Sequence, residues 1–223
     1  MARGRCTVEN NLAFFDLDHT ILSTSSGRIM FKGSYKHGLI GKKEIRSAIL
    51  VNTLYRIGII SAQNAVSRWM KWYRGMSVES IVPIAAEWIE ELKGLVREGA
   101  REEIRRHREN GTRTVILSAS PAFICEEMRK ELGMDDVLCT ELEVADGRLT
   151  GNLRGTYCHG MGKLERARRY CRDRGFALVT AHYYADSIAD LPVLEAVGNP
   201  VCVTPDRRLE RVARKRGWKI VRW

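Results

Sequence analysis

Residues 11 to 20 read NLAFFDLDHT, a short apolar run that ends in two carboxylates, Asp16 and Asp18. A run of this length suits a strand buried on both faces, the kind found in parallel sheets covered by helices. Its polar end then emerges at the carboxyl edge of the sheet, where open α/β folds bind their ligands.

From about residue 98 onward, helix and strand alternate. A charged helix stops at Asn110 and Gly111, followed by the apolar run Thr114 to Leu117 and a helix from about Pro121 to Leu132. The β-rich stretches VLCTELEV and RLTGNLRG flank Ala145-Asp146-Gly147, whose Asp-Gly pair predicts a hairpin. A helix from about Met161 to Arg174 leads to the strand FALVTAHYYA. A helix near 191 to 197, the strand PVCVT, a basic helix near 206 to 216 and a last strand WKIV follow. Repeated strand-helix units predict an α/β fold, a Rossmann-like core whose mainly parallel sheet lies between helices.

Residues 23 to 97 follow a different period. Apolar positions recur at helical spacing at Leu50, Val51, Leu54 and Ile57, then through Ala62 to Tyr73, then from Ile81 to Leu92. Ser77, Ser80 and Pro83 are expected in the first turn of the last of these helices. The pattern predicts a helical bundle inserted after the first strand, so 1–22 and 98–223 form the core and 23–97 a separate helical domain. Trp69, Met70, Trp72, Tyr73 and Met76 are expected to pack the seam of that bundle rather than to line a substrate pocket.

The chain has 223 residues, 44% hydrophobic and 29% charged, which excludes a stapled mini-protein and a disordered chain. Lys plus Arg at 37 against Asp plus Glu at 27 gives a formal charge of +10, which favours anionic partners: phosphate esters, nucleic acid or anionic lipid. The basic stretch from Pro205 to Trp223 is expected to be a solvated helix face. Six cysteines without a CxxC pair fit reduced thiols and a cytoplasmic protein. No apolar run approaches the roughly 20 residues that span a bilayer.

The polar residues that end each apolar strand form a coherent set. They are Asp16-Leu17-Asp18-His19-Thr20, Ser118-Ala119-Ser120 and Asp186 through Asp190, with Lys163 opening the helix between the last two. Carboxylates, hydroxyls and an ammonium at one sheet edge suit a divalent cation together with a phosphoryl group. If strand geometry persists past Phe15, Asp16 and Asp18 point the same way. Asp16 is then placed to attack phosphorus and Asp18 to protonate the leaving alkoxide and activate water. Lys163, Thr20 and Ser118 would neutralise or hydrogen-bond the phosphoryl oxygens. His19, His37, His159 and His182 are expected to be bystanders, and nothing around Cys158 suggests an activated thiol.

DLDHT, Ser118, Lys163 and the Asp186/Asp190 pair resemble the four motifs of the haloacid dehalogenase superfamily. The stretches LSASP, CHGMGK, YYADSIADLPVLEAVGNPVCVTPD and RGWKI resemble its phosphoserine-phosphatase-like IB branch. The resemblance implies Asp16 as nucleophile and magnesium ligand and Asp18 as acid/base that binds magnesium through its carbonyl. It also implies Asp186 as a further ligand, Asp190 as support for the metal, and Lys163 as the residue that steadies the nucleophile. Ser118, Ala119 and Thr20 fall where the family binds phosphate, and 23–97 where it carries a helical cap. Ser25 stands where phosphoserine phosphatases carry a glutamate for the substrate amino group, which argues against phosphoserine. Arg74, within WYRGM at 72 to 76, matches the family without an assigned role.

The implied activity is a magnesium-dependent phosphomonoesterase acting on a small phosphorylated metabolite through an aspartyl-phosphate on Asp16. A phosphorylated lipid as substrate, or phosphoryl transfer to an acceptor other than water, are the alternatives. A basic nucleic-acid-binding module is the rival from another class, although no nucleic-acid partner is expected.

Overall fold

The computed structural model describes residues 11–223; Cys6 and the other residues before Asn11 lie outside it. Strand β1 (Leu12–Phe15) is buried along its whole length and leads into the helical insertion of α1 (Ser26–Lys36), α2 (Lys42–Arg56), α3 (Ala62–Met70) and α4 (Val78–Lys93). Then come α5 (Glu98–Glu109), β2 (Arg113–Pro121), α6 (Ala122–Leu132), β3 (Asp136–Thr140), β4 (Leu142–Ala145) and β5 (Arg148–Leu153). The chain closes with α7 (Met161–Arg174), β6 (His182–Ala185), α8 (Leu191–Leu194), β7 (Asn199–Val203), α9 (Arg207–Arg216) and β8 (Lys219–Val221).

Six strands form one sheet in the order β3-β2-β1-β6-β7-β8, every pair parallel. The chain fills one half outward from β1, then returns to β6 on the other side, so β1 and β6 flank the point where strand order reverses. In open parallel sheets that point opens a crevice beyond the strand ends.

Alternation along β1 divides the core. Ala13 and Phe15 face a cluster that takes Ala100 and Ile104 from α5, Ile124 and Met128 from α6, and Trp88 from α4. Leu12 and Phe14 face the opposite cluster, with Leu164 and Ala167 from α7, Leu194 from α8, and Leu209 from α9. The basic helix α9 is thus a core helix with a charged outer face, on which Glu210 pairs with Arg214 and Arg222 at 2.8 Å each.

The two chain crossings into the helical insertion run side by side. Leu22 bridges Val96, Ser23 N–H donates to the Leu95 carbonyl, and Arg97 N–H donates to the Ile21 carbonyl. The far end of the insertion is fastened to the hairpin: Gly75 N–H donates to the Leu149 carbonyl, Leu149 N–H to Met76, and Val78 N–H to Gly147. This is the structural setting of the WYRGM segment.

Three sequence expectations shift. VLCTELEV divides at Glu141: Val137 to Thr140 belong to β3 on the edge of the main sheet, while Leu142 to Ala145 form β4, paired antiparallel with β5. FALVTAHYYA contributes only His182–Ala185 as strand, because Thr180 donates to the Ala177 carbonyl and closes a turn that leaves Val179 exposed. Pro83 lies in the second turn of α4, and the Ser80 hydroxyl bonds the Ser77 carbonyl at the helix start.

Candidate active site

Asp16 follows β1 and Asp186 follows β6, so adjacent parallel strands carry both carboxylates to the same edge. Asp16 N–H donates to the Tyr184 carbonyl at 2.9 Å, which continues the β1–β6 ladder to the residue itself. Asp190 enters from the turn that starts α8. One oxygen from each of Asp16, Asp186 and Asp190 lies within 4.8 Å of the others.

Lys163 sits in the middle of this group, 3% exposed, with Nζ 2.8 Å from Asp16 Oδ1 and 2.7 Å from Asp190 Oδ1. Its third donor reaches Tyr183 Oη at 3.2 Å. The lysine is in the first turn of α7, where the helix dipole disfavours a cation; two buried carboxylates outweigh that. The approach of α7 depends on glycine. At Gly160, φ is +55° and ψ −119°, and a Cβ on Gly162 would lie 2.2 Å from the Tyr157 carbonyl oxygen.

Charge at the site does not balance: three carboxylates face one ammonium. Burial raises the Asp16 carboxyl well above the usual carboxylate range; Lys163 opposes the rise, while Asp190 and Asp186 add to it. Burial and then Asp190 push Asp186 up to about 7. Burial works against the Lys163 charge, but Asp16 and Asp190 hold it well above its ordinary value. The ammonium therefore stays charged, and the carboxylates compete for the remaining compensation, which a proton or a cation supplies.

Asp18 lies apart from that group. Strand geometry ends at Phe15, and the chain turns through Leu17–Ile21 with His19 at φ +58°, so Asp16 and Asp18 do not share a direction. Asp18 Oδ1 accepts from Ser26 N–H at 2.8 Å and from Ser120 Oγ at 3.3 Å, while Oδ2 accepts from Ser25 Oγ at 3.0 Å. The Ser120 hydroxyl also meets Ser26 Oγ at 2.6 Å and accepts from Ser118 Oγ at 3.2 Å. Ser25, where the sequence resemblance pointed to a substrate-binding position, here holds Asp18.

The remaining sequence candidates take varied places. Thr20 is fully buried and donates to Asp186 Oδ1 at 3.4 Å; Ser118 is buried as well, and Ala119 is half-buried. Ala119, Ser120, Asp18 and His19 line a cavity of about 650 Å³ between the sheet edge and the helical insertion. Trp69, Met70, Trp72 and Tyr73 form part of its wall, although Met70 and Tyr73 are also buried core residues. These four therefore do more than pack the bundle. Burial pushes the Cys158 thiol up to about 12, so it is inert. His37 meets Glu87 at 3.0 Å, His159 stacks on Tyr157, and His182 packs edge-on against His107.

Two contributors escaped the sequence reading. Tyr183, on the inward face of β6, completes the donor set of Lys163. Asp206 caps α9, and its Oδ2 also accepts from Ile188 N–H at 2.8 Å while its own N–H donates to the Asp186 carbonyl, which fixes the turn between Asp186 and Asp190. The second role of Asp206 depends on β6 and β7 being neighbours.

Residues 13–195 match the model of the haloacid dehalogenase-like hydrolases. The chain belongs to this family. Among curated proteins, it is 34% identical to an "Inhibition of morphological differentiation protein" of Streptomyces azureus, over 94% of this chain and 77% of the relative. It is 30% identical to a "Histidinol-phosphatase" of Neisseria meningitidis serogroup C (strain 8013), over 95% of this chain and 98% of the relative. A solved protein of unknown function from Bordetella pertussis Tohama I superposes with a TM-score of 0.89 at 26% identity, covering 96% of this chain and 99% of that one. A phosphoserine phosphatase, solved as a phospho-aspartyl intermediate analogue, shares the fold with a TM-score of 0.70 at 17% identity, covering 95% and 92%. The haloacid dehalogenase-like chain is a hydrolase of phosphoric monoesters, and its neighbours are consistent with the IB branch. Among the described residues, no helix is long and apolar enough to cross a membrane.

Proposed function

We propose that the chain is a magnesium-dependent phosphomonoesterase that carries the phosphoryl group on Asp16. The observation behind this reading is the buried group of Asp16, Asp186 and Asp190 around a single Lys163. Three hard oxygen donors with excess negative charge fit a divalent cation that prefers carboxylates, and Asp16 and Asp186 would hold it, with Asp190 in support. When bound, the metal supplies charge neutralisation for the phosphoryl oxygens and for the carboxylates.

Asp16 Oδ attacks phosphorus, a P–O bond to the carboxylate forms, and the P–O bond to the leaving alcohol breaks. Lys163 fixes the attacking carboxylate and offsets its charge. Asp18 is the only acid among the described residues that line the cavity, which supports it as the donor of the proton that the leaving alkoxide takes. The same carboxylate then removes a proton from water, which attacks phosphorus and releases phosphate and free Asp16. Ser25, Ser26 and Ser120 hold Asp18 for both steps. The buried hydroxyls of Thr20 and Ser118 act on the phosphoryl site through Asp186 and Ser120.

In this reading residues 23–97 form a cap over the core of 1–22 and 98–223, and the cavity between them receives the leaving alcohol of a small phosphorylated metabolite. The cytoplasmic setting belongs to the same reading and is supported by free, buried thiols at Cys125, Cys139, Cys158, Cys171 and Cys202. Phosphate release from p-nitrophenyl phosphate tests the whole. Release should require magnesium, stop with EDTA, and fall at least about a thousandfold in Asp16→Asn. Release that ignores EDTA or survives in Asp16→Asn would contradict the proposal.

A further inference from the structure

The cavity beside Asp18 has about 650 Å³, within the range of sites that bury a small organic ligand. Its wall on the insertion side is mainly apolar, with Met30 and Phe31 of α1, Ile49 of α2, and Trp69 and Trp72 near α3, interrupted by Arg28 and Asn52. Asp18 is the sole acid among the described lining residues, and both its oxygens already accept hydrogen bonds. An ammonium group entering this space would lose its water, compete with three protein donors for Asp18, and meet the Arg28 guanidinium in the same lining. An alkyl, isoprenyl or aryl group would instead bury apolar surface against aromatic and aliphatic side chains. Ile49 is a lining residue that is also 63% exposed, so the apolar wall reaches the protein surface there.

We propose that this cavity selects phosphomonoesters whose leaving alcohol is apolar and uncharged, in preference to the phosphates of amino alcohols, sugars or nucleosides. The inference rests on the phosphomonoesterase reading above and names the substrate class of that same site. The reaction is hydrolysis of ROPO₃²⁻ by water to ROH and phosphate, the P–OR bond breaking and the alkoxide taking the proton from Asp18.

The test is kcat/KM for a series of alkyl phosphates from ethyl to octyl, below micellar concentrations, with magnesium, beside phosphoserine, histidinol phosphate and glucose 6-phosphate. Each added methylene should raise kcat/KM about two- to fourfold until the cavity is filled, at least about fiftyfold from ethyl to octyl. Geranyl phosphate, a short-chain lysophosphatidate and naphthyl phosphate, compared with octyl phosphate, tell which source of apolar alcohol fits best. Ile49→Ser, a change at an exposed position outside the core, should flatten the chain-length dependence about three- to tenfold. A flat series with steady phosphate release, or a preference for phosphoserine or histidinol phosphate over octyl phosphate, would overturn this inference and leave the phosphatase reading standing. No release from any ester, p-nitrophenyl phosphate included, would overturn both.

Discussion

Replacing Lys163 with Met removes the ammonium from between two buried carboxylates, Asp16 and Asp190, with the half-buried Asp186 beside them, while keeping the length and bulk of the side chain. Nζ sits 2.8 Å from Asp16, 2.7 Å from Asp190 and 3.2 Å from Tyr183 Oη, so every proton of the ammonium is in use. Truncating one partner of a buried ion pair costs about 3–5 kcal/mol, because a charge is left buried without a counterion. For a chain of this size that corresponds to a fall in Tm of roughly 6–20 °C, a large share of the usual total stability of about 5–15 kcal/mol. The cost depends on pH. Burial already raises the Asp16 carboxyl and Lys163 opposes that rise, so without Lys163 Asp16 binds its proton still more tightly in the folded state than in the unfolded chain. Its contribution is then fully present below the unfolded carboxyl value and is lost as pH rises through the raised folded value. The gap between wild type and Lys163→Met should therefore be small at pH 5 and widen toward pH 8. Differential scanning calorimetry in EDTA at several pH values measures it, and phosphate release at pH 7.5 should fall at least about a hundredfold. A variant as stable as wild type at pH 8, or a gap that narrows as pH rises, would refute the assignment of Lys163 as the counterion of the site.

Two further outcomes concern residues around the site. His107 is 3% exposed and its Nε2 donates to Tyr184 Oη at 2.8 Å, while that hydroxyl donates to Glu103 at 2.5 Å. Burial pushes the His107 imidazole down to about 4, so the folded state binds the proton more weakly than the unfolded chain with its value near 6.5. Its contribution to stability is complete above pH 6.5 and declines as pH falls toward 4, by up to about 3 kcal/mol. Urea midpoints at pH 7.5 and pH 5 should drop less in His107→Gln than in wild type; equal drops would remove His107 as the cause. Ser120→Ala takes one hydrogen bond from Asp18 and should lower kcat about tenfold while costing only about 1 kcal/mol of stability. Unchanged steady-state kinetics would show that Ser120 does not orient Asp18.

Much of the architecture was legible because burial leaves a pattern. The apolar run before Asp16, the helical period from Leu50 to Leu92, and the Asp146-Gly147 turn each translate into the element they suggest. Strand limits were less legible: β6 begins only at His182, because the Ala177 to Thr180 segment closes its own hydrogen-bonded turn instead of joining the ladder. At the site, Asp16, Asp186, Asp190 and Lys163 converge as strand-end logic suggests, since β1 and β6 are neighbours. The direction of Asp18 was not legible, because it depends on the backbone leaving strand geometry after Phe15 and on serines from α1 and β2 that lie far apart in sequence. Tyr183 and Asp206 were hidden for the same reason: the chemistry of each is ordinary until the sheet order places it beside Lys163 or the Asp186 loop.

The proposed reaction turns on a covalent phosphoryl group at Asp16. Incubation with a ³²P-labelled phosphomonoester and magnesium, acid quenching during turnover, and peptide mapping tests it directly. The expected label is stable in acid, is released at alkaline pH, maps to Asp16 and is absent from Asp16→Asn. Turnover with no labelled protein at any quench time, or a label on another residue, would contradict it.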